Sequence, residues 1–250
     1  MKGLYLFVGF IFLSCLANSL QKKPKNNSFN KVQISLALTL PFTVSFPIDT
    51  SESSFLTDVQ SVNKLIRIDL KYASKDNFMK IKLYERITHA YLQNDVAIRL
   101  GKCQTYLTSI FPSLHLLIYD AVRPLSVQRK MWNALDTIPV RERIKFVSNP
   151  ANKSLHNYGA AVDLTICDEN GIPLDMGAGY DDMRKVAYPS LEKSFLAEGL
   201  LTQKHIENRK LLRKIMRYQK FSGIPTEWWH FNACSREVAA KKYKVLENEP

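Results

Sequence analysis

Two short segments carry residues that can do chemistry together: Ser154-Leu155-His156-Asn157-Tyr158-Gly159-Ala160-Ala161-Val162-Asp163 and Glu227-Trp228-Trp229-His230. His156, Asp163 and His230 are two imidazoles and a carboxylate, and a catalytic zinc site uses three such protein ligands so that its fourth position stays open. Glu227 is then left over as a base. A zinc hydrolase needs no serine or cysteine nucleophile, only a group to move the proton of water, and a positioned carboxylate does that. A lone histidine or aspartate is ordinarily a surface or core residue, and His89, His115 and His205 are read that way. The joint pattern carries the weight, because each segment supplies the partners the other lacks.

The spacing dictates local structure. On one straight strand His156 and Asp163 would lie about 23 Å apart, at roughly 3.3 Å per residue, and on opposite faces. The chain must bend between them, and Gly159 is the expected pivot, since glycine reaches backbone conformations closed to other residues. Ala160 to Ile166 then reads as a buried strand carrying Asp163, and the apolar run Leu114 to Tyr119 as another. Ile224 to Phe231 is a third expected strand, aromatic-rich and flanked at its start by Gly223 and Pro225. Glu227 and His230 differ in strand parity, so that strand needs a twist or bulge for both to face one metal.

Around these strands the apolar periodicity predicts helices. The first spans Leu92 to Ile110, with Val96, Ile98, Leu100, Cys103, Leu107 and Ile110 inward. Others run from Ser126 to Leu135, from Val140 to Val147, and from Lys204 to Tyr218 with Ile206, Leu211, Leu212, Ile215 and Met216 as a core stripe. The cations of that last helix, Arg209 among them, read as a solvated face. The expected fold class is α+β: a single domain with a small, mainly antiparallel sheet flanked by helices.

Three further segments join the two above: Asp69-Leu70-Lys71-Tyr72-Ala73-Ser74-Lys75-Asp76-Asn77-Phe78, Tyr119-Asp120-Ala121-Val122-Arg123-Pro124 and Asp175-Met176-Gly177-Ala178-Gly179-Tyr180-Asp181. In kind and order they resemble the D-alanyl-D-alanine dipeptidases of the VanX type, zinc peptidases related to the D,D-carboxypeptidases. The resemblance spans about residues 55 to 235. It implies one zinc ion on His156, Asp163 and His230, with Glu227 as acid/base and Arg123 stabilising the transition state. It also implies that Tyr72, Ser154 and Asp181 hold the dipeptide, Asp181 facing the free ammonium. Val122 stands where the family usually has an aromatic, and Asn157-Tyr158 replace a small-then-basic pair. The implied reaction is hydrolysis of D-alanyl-D-alanine to two D-alanine, in peptidoglycan turnover or D-alanine salvage. Two alternatives stay open: a zinc D,D-carboxypeptidase or endopeptidase acting on longer muropeptides, and a non-catalytic zinc or peptidoglycan-binding module.

The 250 residues, 46% hydrophobic, suffice for one sizeable core. Lys2 and the apolar run Leu4 to Leu13 have the shape of a secretory signal peptide, with cleavage expected after Ser19. Lipidation at Cys15 is the rival, and it would be the chain's one membrane attachment. Residues 20–54 read as a polar tether and 55–250 as the enzyme domain, exported to the periplasm or beyond. With Cys15 set aside, Cys103, Cys167 and Cys234 allow at most one internal disulfide; Cys167 and Cys234 are the expected pair if their strands run side by side. The net charge of +12 favours anionic partners, yet no nucleic-acid motif and no protein-partner motif accompanies it.

Overall fold

The computed structural model describes residues 55–250; the expected signal peptide, the Cys15 lipidation site and the tether lie outside the described residues. Strand β1 (Leu56–Asp58) and helix α1 (Val59–Val62) lead into β2 (Arg67–Ile68), followed by β3 (Tyr91–Gln93) and the long α2 (Asn94–Ile110). Next come β4 (His115–Asp120), α3 (Leu125–Ala134), α4 (Val140–Arg143) and β5 (Ala161–Cys167). The chain closes with α5 (Glu192–Ala197), α6 (Gln203–Tyr218), β6 (Ser222–Gly223), β7 (His230–Asn232) and α7 (Arg236–Lys242).

Five strands form one sheet in the order β2-β4-β5-β7-β6, parallel between β2 and β4 and antiparallel elsewhere, while β1 pairs with β3. This is the expected α+β arrangement. Every residue of β4 and β5 is buried, which is why both read as continuous rather than alternating apolar runs. Val96, Leu100, Cys103 and Leu107 of α2 and Ile206, Leu212, Ile215 and Met216 of α6 are buried in the core. Among the described residues no helix is long and apolar enough to cross a membrane.

Several expectations are corrected. The helix expected from Val140 to Val147 stops at Arg143. Ile98, expected inward, is 40% exposed. Arg209 does not belong to a solvated face: it is buried, with Nε donating to Met176 O at 2.7 Å and Nη2 to Val186 O at 3.0 Å. The strand expected over Ile224 to Phe231 is confined to its end, since β7 begins only at His230. The three described cysteines are free thiols. The strands do run side by side, but antiparallel: Asp163 pairs with His230, so the segments that follow each ligand diverge and carry Cys167 and Cys234 to opposite ends of the ladder.

Candidate active site

The pivot works as its residue type requires. His156 lies in a 3₁₀ turn, Leu155–Tyr158, which Gly159 closes in the left-handed region at φ 61°. A Cβ there would stand 3.2 Å from Gln93 N and 3.0 Å from Leu56 Cδ2, so both backbone conformation and space favour glycine. The chain then enters β5, where Asp163 stands opposite His230 of β7. One ligand atom from each of His156, Asp163 and His230 lies within 4.8 Å of the other two.

The hydrogen bonds around the rings decide which atoms face the centre. His156 Nδ1 donates to Ala121 O at 2.7 Å, and His230 Nε2 donates to Asn232 Oδ1 at 2.7 Å. Each ring thereby turns its other nitrogen inward, and His156 Nε2 and His230 Nδ1 approach to 3.2 Å. Asp163 Oδ1 lies 3.3 Å from the first and 2.9 Å from the second, while Tyr180 OH donates to Oδ2 at 3.2 Å. Burial disfavours charge on both, yet their contacts outweigh it: His156 first and His230 second hold Asp163 well below the usual carboxylate range, and Asp163 raises His230 to about 9. Three buried or half-buried donors that converge within 4.8 Å, with both imidazole tautomers fixed by outer partners, are the arrangement a zinc site requires.

Glu227 precedes β7 rather than lying within it, so the parity conflict disappears: its carboxylate reaches back to 3.9 Å from His230 Nδ1. Burial, against the pull of His230, pushes its carboxyl up, although 39% of the side chain stays open to the cleft and solvent there moderates the push. Arg123 is buried and gives Nε and Nη2 to Asp120 Oδ2 at 2.9 and 2.6 Å. Its guanidinium also lies 5.0 Å from the centroid of the Tyr72 ring. Asp120 owes its place to a register shift between Ile118 and Asp120, which sets it opposite Asp163; such irregularities re-aim side chains beside sites. Tyr72 OH donates to Asp181 Oδ2 at 3.0 Å. Asp181 adopts φ 56°, a left-handed conformation uncommon outside glycine. Burial, reinforced by the charge of Asp163, pushes its carboxyl well above the ordinary range. Ser154 Oγ is buried without a hydrogen-bond partner.

All eight residues singled out in the sequence, Tyr72, Arg123, Ser154, His156, Asp163, Asp181, Glu227 and His230, line one cleft of about 250 Å³. The sequence alone assigns no role to Asp120, Tyr180 or Asn232, which hold Arg123, Asp163 and His230. Asp120 and Tyr180 sit inside segments already singled out, and Asn232 follows His230 by two residues, so proximity in sequence was the available signal. His205 stands apart, capping α6 with Nδ1 accepting from Thr202 N–H and Nε2 donating to Asp175.

An α+β domain with this donor set and a carboxylate beside it defines a zinc metallopeptidase. A family model described as D-ala-D-ala dipeptidase matches residues 52–247, and the chain belongs to that family. A D-alanyl-D-alanine dipeptidase of Escherichia coli (strain K12) is 34% identical over 181 residues, 72% of this chain and 86% of the relative. One from Synechocystis sp. (strain ATCC 27184 / PCC 6803 / Kazusa) is 30% identical over 168 residues, 56% of this chain and 68% of the relative. Among solved structures, the LdcB LD-carboxypeptidase superposes with a TM-score of 0.41 at 16% identity, covering 77% of this chain and 73% of that one.

Proposed function

We propose that this chain hydrolyses D-alanyl-D-alanine to two D-alanine, with His156, Asp163 and His230 as the zinc ligands. The observation that carries this reading is convergence: three metal donors, a carboxylate base, a buried arginine and a tyrosine-bound aspartate share one small cleft. That cleft falls below the roughly 300–1,000 Å³ of pockets for drug-sized ligands, in keeping with a dipeptide.

Bound zinc supplies Lewis acidity, bringing water to a pKa of about 7 and polarising the scissile carbonyl. Glu227 takes the proton of water at its carboxylate and returns it to the leaving amine. Arg123, held by Asp120 through Nε and Nη2, leaves Nη1 to donate to the oxygen on which negative charge develops. Asp181 receives the substrate ammonium, which restores the charge that burial and Asp163 work against, and Tyr72 OH fixes the receiving oxygen. Ser154 Oγ supplies a further donor. Neither Glu227 nor Arg123 is needed by a module that only binds, so the cleft favours catalysis. The enclosure of Asp181 by Tyr72 favours a substrate that ends at its ammonium over a longer muropeptide.

Export to the periplasm or beyond belongs to the same reading, on the strength of Lys2 and the apolar run Leu4 to Leu13. It makes a peptidoglycan-derived dipeptide the substrate within reach. The test is comparative hydrolysis of D-alanyl-D-alanine, its N-acetylated form and a D-alanyl-D-alanine-terminated tetrapeptide, together with the N-terminal sequence of the mature chain from the envelope fraction. Cleavage of the free dipeptide with little of the other two supports the dipeptidase; preference for the tetrapeptide moves the activity to the carboxypeptidase alternative.

A further inference from the structure

If the cleft takes a free dipeptide, as proposed above, the substrate's carboxylate needs a partner as much as its ammonium does, because a carboxylate leaving water without donors or a cation is costly. Besides histidines, the cations lining the cleft are Arg123, Lys145 and Arg236. Arg123 is matched by Asp120, and Lys145 is bonded to Glu142. Arg236 makes no side-chain hydrogen bond or ion pair among the described residues.

Its position follows from packing. Ala239 of α7 is fully buried in a small cluster with Leu155 and Tyr158, so α7 lies on the turn that carries His156. Arg236 precedes Ala239 by three residues and therefore shares that side of the helix. Ser154 begins the same turn, with its Oγ buried and unpartnered.

We propose that Arg236 receives the C-terminal carboxylate of the dipeptide, with Ser154 Oγ as a second donor, and so makes the cleft select substrates that end at that carboxylate. The guanidinium fork matches a carboxylate through two parallel hydrogen bonds. Asp181 and Arg236 then read the two ends of one zwitterion, and the free dipeptide is the shortest peptide that satisfies both.

The test compares D-alanyl-D-alanine with D-alanyl-D-alaninamide, which lacks the terminal charge, on zinc-loaded wild type, Arg236→Ala and Arg236→Lys. Removing a charged hydrogen-bond partner should raise KM for the dipeptide about 10- to 100-fold, with a much smaller change for the amide, so that the preference for acid over amide collapses. Arg236→Lys should restore part of it, and thermal melting with zinc content shows whether each variant is folded and loaded. If wild type cleaves the dipeptide and Arg236→Ala keeps the same acid-over-amide preference, the assignment of Arg236 is wrong while the dipeptidase reading stands. If wild type prefers longer peptides to the dipeptide, the dipeptidase reading fails; those peptides end at the same carboxylate, so the acid-over-amide comparison made on them still decides the assignment of Arg236.

Discussion

The metal donors hang from paired backbone, Asp163 and His230 facing each other across β5 and β7 and His156 following from a turn that Gly159 closes; the ammonium side of the cleft is built differently. Asp181 belongs to an irregular loop, and the buried polar side chains of α6 hold that loop. Asn208 Nδ2 donates to Asp175 O at 2.7 Å, and Arg209 bridges Met176 O and Val186 O. Arg213 meets Glu192 through two bonds of 2.7 and 2.8 Å. A ladder of backbone bonds fixes the metal side whatever side chains surround it, whereas a loop pinned by a few side chains can be re-aimed by changing one of them. Chemistry and substrate choice should therefore be separable by mutation.

The sharpest separation is expected at Glu227. Glu227→Gln keeps the shape of the side chain and removes the base, so kcat should fall about 10²- to 10⁴-fold while zinc content and melting temperature hold, as steady-state kinetics and metal analysis would show. Next is Arg209→Ala, which removes a guanidinium whose Nη1 lies 3.6 Å from Glu192 Oε1 and leaves Glu192 with Arg213 alone. Breaking a buried charged pair costs about 3–5 kcal/mol, and the lower end is expected in urea unfolding because Arg213 still faces Glu192. The folded fraction should keep its zinc and lose dipeptide affinity; a parallel loss of zinc would show that the two sides are not independent. On the metal side, Asn232→Ala frees the His230 ring and should weaken zinc about 10-fold or more in competition with a chelator, leaving KM near wild type once zinc saturates. The smallest effect is expected for Tyr72→Phe, which deletes one hydrogen bond to Asp181. A severalfold rise in KM, worth about 1 kcal/mol, should appear without a matching loss of kcat.

The same division governs what was legible in the sequence. Apolar runs and helical periodicity exposed β4, β5, α2, α3 and α6, because burial on a regular element writes itself into residue type. The three converging metal donors were legible because few residue types bind zinc and because Gly159 marks the bend between two of them. The loop side was not. Arg209 lies among Lys204, Lys210, Lys214 and Arg217, all exposed, and nothing in its neighbourhood distinguishes an arginine that caps carbonyls inside the protein from one that faces water. The aromatic stretch before His230 misled for a related reason. Trp228 and Trp229 are both buried, as in a strand, but they pack from bends of the chain, and those bends let Glu227 and His230 face the same centre despite their parity. Tyr180 and Asn232 act through hydrogen bonds to Asp163 and His230, a role that residue type alone does not announce.

D-alanine release from D-alanyl-D-alanine by the purified chain, measured with zinc, after chelation and with Glu227→Ala, decides whether the cleft is a zinc dipeptidase. Release that needs both zinc and Glu227, and that falls away when the substrate ammonium is blocked, is the predicted result. Zinc binding at His156, Asp163 and His230 without any release, or release that survives loss of Glu227, would contradict it.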